Sequence, residues 1–196
     1  MTFDQIKQVL SKKTVGIAGC GGLGSNCAVA LARVGIGKLI IADFDVIDES
    51  NLNRQYYYFD QVGQKKSYTL QDNLYFVNSK VEVVAHDIKL GPADIKSIYK
   101  DCDVIVEAFD LAEMKEMIIE TVLEEMPGIP LVVGVGMAGW GDNNSLRTRY
   151  EGNLYICGDE RSEISEKLPP LAPRVGIVAN MQANQVLEIL LKGELK

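Results

Sequence analysis

Two segments of the chain combine residue types that can bind and polarise phosphate groups. The first is G-x-G-x-x-G, formed by Gly19, Gly21 and Gly24 in GCGGLG, and the second is DFDVIDESNLNRQ at residues 43–55. Glycine lets the backbone approach a phosphate, and the helix predicted to follow presents free N–H groups and the positive end of its dipole. Asp43 lies 19 residues after Gly24, where an acidic side chain commonly binds ribose hydroxyls. The pattern therefore predicts a nucleotide site.

The glycine turn alone leaves the type of nucleotide open. By itself it favours a nicotinamide cofactor, and its plainest alternative is a tight connection between a strand and a helix with no ligand. The polar string after Asp43 contains a single arginine, Arg54, whose charge suits phosphate oxygens. An oxidoreductase would leave the string from Ser50 to Gln55 without a role. The combination therefore indicates a protein that attacks a phosphate group as well as binding it.

The two strings together resemble the ThiF and MoeB family of adenylyltransferases, which activate ubiquitin-like proteins. The shared pattern is GxGGLGS followed by D-x-D-x-V-x-x-S-N-L-x-R-Q, and the resemblance covers about residues 14–191. APRVGIVANMQANQVLEILL and EGNLYICGDE are most similar to the short, zinc-free ThiF form. The resemblance implies ATP-dependent adenylation of the C-terminal glycine carboxylate of a ubiquitin-fold sulfur carrier, of the ThiS type used in thiamine biosynthesis. A separate donor would then supply the sulfur.

Individual residues match positions of the family's ATP site, and the resemblance implies their roles. Asp43 would hold the ribose, and Asn51 and Arg54 would reach the phosphates. Lys66, in GQKK, matches a phosphate-binding lysine, although a second lysine replaces the proline that precedes it in the family. Asp110, in EAFD, would bind Mg²⁺. The predicted nucleotide-binding residues are Gly19, Gly21, Gly22, Gly24, Asp43, Asp45, Asn51, Arg54 and Lys66, and the predicted catalytic residues are Arg54, Lys66 and Asp110.

These residue types also suit adenylation on chemical grounds. The attacking carboxylate, the α-phosphate and the leaving pyrophosphate all carry negative charge, so charge neutralisation and alignment dominate the reaction. A carboxylate is already ionised at pH 7 and needs no general base, which fits a chain with one histidine, His86. The structural alternatives are that Arg54 and Lys66 are solvated surface charges and that Asp110 caps the helix predicted after it.

Cysteine placement separates this chain from many longer members of the family. Its four cysteines, Cys20, Cys27, Cys102 and Cys157, include no C-x-x-C pair, so we expect neither structural zinc nor a disulfide framework. None lies in a recognisable version of the site at which some family members bond covalently to the carrier. We place only Cys157 near a surface loop and expect packing roles for the rest.

The resemblance also implies a homodimer. Family members often lend an arginine near the N-terminus to the active site of the partner subunit, but this chain has no arginine before Arg33. Lys7, Lys12 or Lys13 could take its place, although lysine lacks the planar fork of arginine. Trp140, in a glycine-rich loop, is a candidate for the interface.

The elements that must position these residues alternate along the chain. Apolar, β-branched runs alternate with helical patterns, which is typical of a parallel sheet covered on both faces. We therefore expect a single α/β domain over residues 1–196: a Rossmann-like, mostly parallel sheet with helices on both faces, plus a C-terminal β-hairpin and helix. Residues 158–173 are predicted to form a flexible surface loop that guides the carrier's tail. The predicted strands are 14–18, 38–42, 80–85, 104–107, 131–135, 146–150 and 154–157, and the predicted helices are 1–13, 23–34, 65–77, 111–126 and 174–191.

Composition and charge argue against several classes of function. No apolar run approaches the ~18 residues of a membrane helix, and the N-terminal segment lacks the apolar stretch of a secretory signal, so we expect a cytoplasmic protein with no membrane partner. A net charge of −7 without a basic block argues against a nucleic-acid partner. Three alternatives stay open: adenylation of a MoaD-like carrier for molybdopterin, an NAD-dependent oxidoreductase, and a non-catalytic scaffold that binds a carrier.

Overall fold

The chain folds around a seven-stranded sheet, which a computed structural model describes over residues 1–192. The strands are β1 (Thr14–Ala18), β2 (Lys38–Ala42), β3 (Glu82–His86), β4 (Val104–Glu107), β5 (Leu131–Gly134), β6 (Arg147–Glu151) and β7 (Leu154–Gly158). Their order in the sheet is β3-β2-β1-β4-β5-β7-β6, and every pair of neighbours is parallel except β6 with β7. The C-terminal hairpin of β6 and β7 therefore extends the main sheet through β5.

Within residues 1–192, six α-helices accompany the sheet. They are α1 (Phe3–Leu10), α2 (Gly22–Val34), α3 (Lys66–Val77), α4 (Pro92–Tyr99), α5 (Ala112–Glu125) and α6 (Ala172–Lys192). Helix α2 packs against α3 and α6, whereas α4 packs against α5. Val15 and Ile17 of β1 join the core that contains α2 and α6, and Ala18 joins the core that contains α4 and α5. Both faces of the sheet are thus covered, and the predicted Rossmann-like fold is confirmed.

The strand order places a crevice at the carboxyl ends of β1 and β4. Strand β1 has β2 on one side and β4 on the other, so the chain winds away from this point in two directions. Helix α2 follows β1 on one face of the sheet, and α5 follows β4 on the other. Open α/β sheets bind their ligands at such a switch point. The glycine turn after β1 and residues 108–111 after β4, called here the β4 loop, meet at this crevice.

The sequence prediction missed one of the helices that connect the strands. The predicted strands begin and end within two residues of the observed ones, but no helix was predicted between β3 and β4. Strands β3 and β4 lie on opposite sides of β2 and β1, so the chain must cross the sheet between them, and α4 belongs to this crossover. The helix is only eight residues long and follows Gly91 with Pro92, a pair that resembles a turn. Ile95 and Tyr99, buried four residues apart, are the signal that could have revealed it.

The connection from β7 to α6 contains neither a helix nor a regular strand. It is bonded to the loop after β5, because Asp159 N–H donates to the carbonyl oxygen of Gly136 at 3.2 Å and Gly139 N–H donates to that of Pro169 at 2.9 Å. Flexibility of residues 158–173 stays a prediction. None of the helices in the described part of the chain is both long and apolar enough to cross a membrane.

Candidate active site

The glycine turn joins β1 to α2 and requires glycine for close packing. Gly19 has φ +99°, and a Cβ there would lie 2.7 Å from the carbonyl oxygen of Ala108. A Cβ on Gly24 would overlap the carbonyl oxygen of Gly19. These two glycines therefore let the turn and the helix pack together. Gly21 and Gly22 instead line a cavity above the turn. They are therefore the glycines at which the backbone could come close to a ligand, as predicted for this motif.

Asp43 fixes the glycine turn from the end of β2. Its Oδ2 accepts a hydrogen bond from the backbone N–H of Cys20 at 2.6 Å, and its Oδ1 accepts one from that of Asp45 at 2.8 Å. Burial raises the pKa of Asp43, while these hydrogen bonds and the charge of Lys66 oppose the increase. A carboxylate has about four lone-pair sites, so Asp43 can still accept further hydrogen bonds on the cavity side.

Lys66 is buried at the first turn of α3 and has an acidic partner. Its Nζ lies 2.9 Å from Oδ2 of Asp45, whose side chain is 46% exposed, whereas that of Lys66 is 8% exposed. Its own N–H also donates to the carbonyl oxygen of Asp45. The single hydroxyl hydrogen of Tyr57 lies between the carbonyl oxygens of Cys20, 2.8 Å from Oη, and Lys66, 3.2 Å from Oη, which joins α3 to the glycine turn. Lys66 is therefore not a solvated surface charge, and that alternative is wrong.

Arg54 projects from a turn that is held against α2. Its Nη1 donates to Asn53 Oδ1 at 2.7 Å and to the carbonyl oxygen of Ser50 at 3.1 Å. Asn26 Nδ2 donates to the carbonyl oxygens of Gly22 and Arg54, which fixes the backbone of Arg54 beside the glycine turn. Within residues 1–192, Arg54 forms no salt bridge with an acidic side chain. Its guanidinium group thus borders the cavity.

Asn51 lies apart from the cavity lining and shapes the turn before Arg54. Its Oδ1 accepts a hydrogen bond from the backbone N–H of Asp48 at 3.2 Å, while Asp48 Oδ1 accepts one from Ser50 N–H at 2.8 Å. The carbonyl oxygen of Asn51 also accepts from the N–H groups of Arg54 and Gln55. Direct contact of Asn51 with phosphates stays a prediction, and its observed contacts are those of a turn-forming residue.

Asp110 is exposed in the β4 loop and borders the same cavity. The alternative that it caps α5 is wrong, because Leu111 occupies the N-cap position and makes no side-chain capping bond. Its carboxylate is accordingly available on the side of β4 that faces the glycine turn.

One cavity of about 300 Å³ brings most of the predicted residues together. A smaller recess of about 160 Å³ adjoins it and shares Asp43, Asp45 and the β4 loop, with Phe44, Ile88 and Met114 on its apolar side. Two cationic groups and three carboxylates therefore border a single crevice. The predicted site residues on the larger cavity are Gly21, Gly22, Asp43, Asp45, Arg54, Lys66 and Asp110, and those absent from its lining are Gly19, Gly24 and Asn51.

A buried ion pair beside this cavity was not predicted. Arg174, at the start of α6, is 4% exposed, and its Nη2 lies 2.6 Å from Oδ2 of Asp159. Burial acts to raise the pKa of Asp159, but hydrogen bonds from Ser162 and Arg161 and from Arg174 lower it to about 2. The ion pair joins the start of the β7–α6 connection, at Asp159, to the first turn of α6, at Arg174. Arg174 directly precedes the cavity residue Val175. Its partners are 15 residues apart with no periodic pattern between them, so the sequence offered no signal for it.

All four cysteines are buried, including the one predicted near a surface loop. Cys157 has no solvent exposure because it lies in β7 and faces the core that contains Cys27. Burial raises the pKa of the Cys157 thiol to about 11 and that of Cys102 to about 12. The thiolate is the reactive form, so these values oppose a nucleophilic role at pH 7. Cys157 does lie next to the β7–α6 connection, but its side chain is buried in the core.

The fold and the site define a class of protein. A glycine turn between the first strand and helix of a Rossmann-like sheet, a carboxylate ending the neighbouring strand, and cationic groups on one cavity are the features of a nucleotide-binding α/β protein. The family comparison is more specific. A model described as the ThiF family matches residues 2–196, and the chain belongs to this family.

Curated relatives carry names that agree with this family. "Adenylyltransferase and sulfurtransferase MOCS3" of Caenorhabditis briggsae is 33% identical over 190 residues, covering 93% of this chain and 47% of that protein. "Probable adenylyltransferase/sulfurtransferase MoeZ" of Mycobacterium tuberculosis H37Rv is 32% identical over 186 residues, covering 92% and 44%. "Ubiquitin-like modifier-activating enzyme 5" of C. briggsae is 33% identical over 175 residues, covering 86% and 38%. The chain thus spans less than half the length of these relatives.

Solved structures share the fold. The E. coli tRNA N6-threonylcarbamoyladenosine dehydratase TcdA, crystallised with ATP, superimposes with a TM-score of 0.87 at 18% identity, covering 97% of this chain and 90% of that one. E. coli MccB with ATP gives a TM-score of 0.74 at 24% identity, covering 95% and 58%. At these identities the likeness shows a common architecture.

Proposed function

We propose that this chain uses ATP to adenylate the C-terminal glycine carboxylate of a ubiquitin-fold sulfur carrier, of the ThiS type used in thiamine biosynthesis. The observation that carries the proposal is the convergence of Arg54, Lys66 and Asp110, from three separate segments, on one cavity above the glycine turn. The names of MOCS3 and MoeZ support adenylyl transfer, and that of ubiquitin-like modifier-activating enzyme 5 supports a ubiquitin-like substrate.

The cavity suggests how ATP is oriented. The phosphates would lie over Gly21 and Gly22, where N–H groups at the start of α2 face the ligand. The ribose would bind Asp43, and the adenine would enter the apolar recess beside Phe44 and Met114. TcdA and MccB were both solved with ATP, which supports this class of ligand.

In the reaction, a carboxylate oxygen of the carrier attacks the α-phosphorus of ATP. The bond from that phosphorus to the bridging oxygen breaks, and pyrophosphate leaves with the electron pair. Arg54 pairs with no acidic side chain in the part of the chain that the structure describes, and it would neutralise phosphate charge directly. Lys66 would exchange its contact with Asp45 for one with a phosphate oxygen. No proton has to be removed from the nucleophile, so the mechanism needs no general base.

The residues at the cavity fit a magnesium ion carried by the nucleotide. Mg²⁺ is usually bound by one or two carboxylates together with substrate phosphates. Asp110 and Asp45 border the cavity, while no group of three His, Cys, Asp or Glu side chains in residues 1–192 forms a metal cluster. Asp110 would hold the ion, which would supply further neutralisation of phosphate charge.

The carrier's extended tail would reach the cavity past the β7–α6 connection. Ile164 and Pro170 of this connection border the cavity together with Leu111, and Ile164 and Leu111 are apolar side chains about half exposed to solvent. The hydrogen bond from Gly139 N–H to the carbonyl oxygen of Pro169 holds this connection beside the loop after β5. We further propose that a separate donor supplies sulfur to the acyl adenylate.

We also propose that the chain forms a homodimer. Trp140 is 68% exposed and suits an interface. Of the lysines that could reach a partner's site, Lys13 already pairs with Asp103, which leaves Lys7 and Lys12 as better candidates. Sedimentation of wild type against Trp140→Ala tests this assembly, and a wild type that sediments as a monomer would rule it out.

Carrier-dependent exchange of labelled pyrophosphate into ATP tests the proposed reaction. Wild type with ATP, Mg²⁺ and a ThiS-like carrier should exchange label, whereas Arg54→Ala and Asp110→Asn should lose most of this activity. Lys100→Ala and Asp72→Ala alter exposed charges away from the cavity and serve as matched controls. Absence of exchange with every Gly-Gly-ended carrier would refute the proposal.

Pyrophosphate exchange together with direct binding measurements separates the alternatives. Exchange with a MoaD-like carrier but not a ThiS-like one would reassign the pathway to molybdopterin. Saturable NAD binding without ATP binding would favour the oxidoreductase. Carrier binding without exchange would favour the scaffold.

A further inference from the structure

A buried carboxylate and a lysine meet next to the loop that carries Asp110. Glu107 ends β4 and has no solvent exposure, although carboxylates are rarely fully buried unless paired. Its Oε2 accepts a hydrogen bond from Lys115 Nζ on α5 at 2.5 Å, and its Oε1 accepts one from the backbone N–H of Phe109 at 2.7 Å. Lys115 Nζ also donates to the carbonyl oxygen of Gly134 at 3.0 Å. The pair therefore joins β4, β5, α5 and the β4 loop.

Stability alone is a poor reason to bury this pair. Removing two charges from water is costly, and apolar residues of similar volume are often at least as stabilising. Burial raises the pKa of Glu107, although Lys115 and the N–H of Phe109 oppose the increase. Gln182 of α6 adds a hydrogen bond from Nε2 to the carbonyl oxygen of Glu107 at 2.8 Å. Both the backbone and the side chain of Glu107 are thus held in place.

The side chain of Asp110 depends on the backbone of its loop for its position. Within residues 1–192, its carboxylate takes part in no hydrogen bond or salt bridge, so nothing else in that part of the chain orients it. Phe109, directly before it, borders both the main cavity and the apolar recess. The bond from Phe109 N–H to Glu107 therefore fixes the backbone one residue from the predicted catalytic carboxylate.

We propose that Glu107 and Lys115 are positioning residues, which hold the β4 loop so that Asp110 faces the nucleotide phosphates. The proposal rests on the proposed function, because it concerns the role of Asp110 in adenylation. Lys115 directs the Glu107 carboxylate through its hydrogen bond to Oε2, and Glu107 holds the loop through the hydrogen bond from Phe109 N–H to Oε1. Neither residue is among those that line the cavity.

Two double variants separate positioning from simple stability. Glu107→Met/Lys115→Met removes both buried charges and the acceptor for Phe109 N–H. Glu107→Gln/Lys115→Met also removes both charges but keeps an amide oxygen that can accept this hydrogen bond. Lys96→Met/Glu125→Met is the matched control, since it removes a lysine–glutamate pair of the same 2.5 Å length on the exposed surface between α4 and α5.

The first readout is the rate of amide hydrogen exchange at Phe109, which requires no catalysis. Glu107→Met/Lys115→Met should accelerate it at least about tenfold, because a hydrogen bond to a charged acceptor is lost. The glutamine variant should restore much of the protection, and the surface control should leave it unchanged. An unchanged rate of amide hydrogen exchange at Phe109 in the double-methionine variant would overturn the proposal, even if wild type adenylates no carrier.

The second readout is pyrophosphate exchange as a function of Mg²⁺ concentration. The double-methionine variant should show a maximal rate reduced about tenfold and a higher Mg²⁺ requirement, with a melting temperature close to wild type. Combined with Asp110→Asn it should add little further loss, because both changes act through one carboxylate. A wild-type rate, or full additivity with Asp110→Asn, would overturn the positioning role while leaving the proposed function intact. Absence of pyrophosphate exchange in wild type would instead refute the proposed function.

Discussion

Replacement of Lys66 by methionine should separate activity from stability. Methionine keeps most of the buried stem and removes the ammonium group, whose partner Asp45 is 46% exposed. Water can solvate the carboxylate left behind, so the free energy of unfolding should fall by no more than about 1 kcal/mol. For a chain of this size that corresponds to a melting temperature lower by about 2–4 °C. The fold should therefore survive the substitution.

The same substitution should strongly reduce carrier-dependent pyrophosphate exchange. A preorganised donor to the transition state typically contributes about 3–4 kcal/mol, so the maximal rate should fall by about 10²–10³-fold. Lys65→Met is the matched control, because Lys65 precedes Lys66, is 44% exposed and pairs with Asp87 at 3.0 Å. It should retain nearly the full rate. A loss below about tenfold for Lys66→Met, or equal losses for both variants, would refute the assignment of Lys66.

Three further predictions concern stability and access. Gly24→Ala sets a methyl group against the carbonyl of Gly19 and should lower the free energy of unfolding by about 1–3 kcal/mol, measured by urea denaturation; an unchanged midpoint would contradict the close packing. The pKa of Asp159 is lowered from 3.8 to about 2, so its stabilisation is present above pH ~4 and lost as pH falls towards 2; acid titration should show wild type losing its advantage over Asp159→Asn there, and a constant difference would contradict this. The four buried cysteines should react with a thiol dye only after unfolding, and rapid labelling of native protein would contradict their burial.

Much of the site could be predicted because of where strands end. The glycine turn, Asp43 and Asp110 each follow a predicted strand, and the carboxyl ends of neighbouring parallel strands meet at one edge. Local patterns were therefore enough to expect these groups in one crevice. Pairings across the fold were not predictable in this way. Glu107 with Lys115 and Asp159 with Arg174 follow no helical or strand period, and Cys157 differs from an exposed cysteine only by the helices packed over it.

The sequence by itself determined the alternation of strands and helices, the glycine turn and the candidate charges, since these depend on backbone conformation and residue type within short windows. Only the tertiary structure decided which charged side chains pair with each other and which face the cavity. It paired Lys66 with Asp45 and turned Asn51 towards its own loop, and among the described residues it gave Arg54 no acidic partner. Such choices depend on distances and burial between distant segments, where a few ångströms decide whether two charged groups bind each other or a ligand.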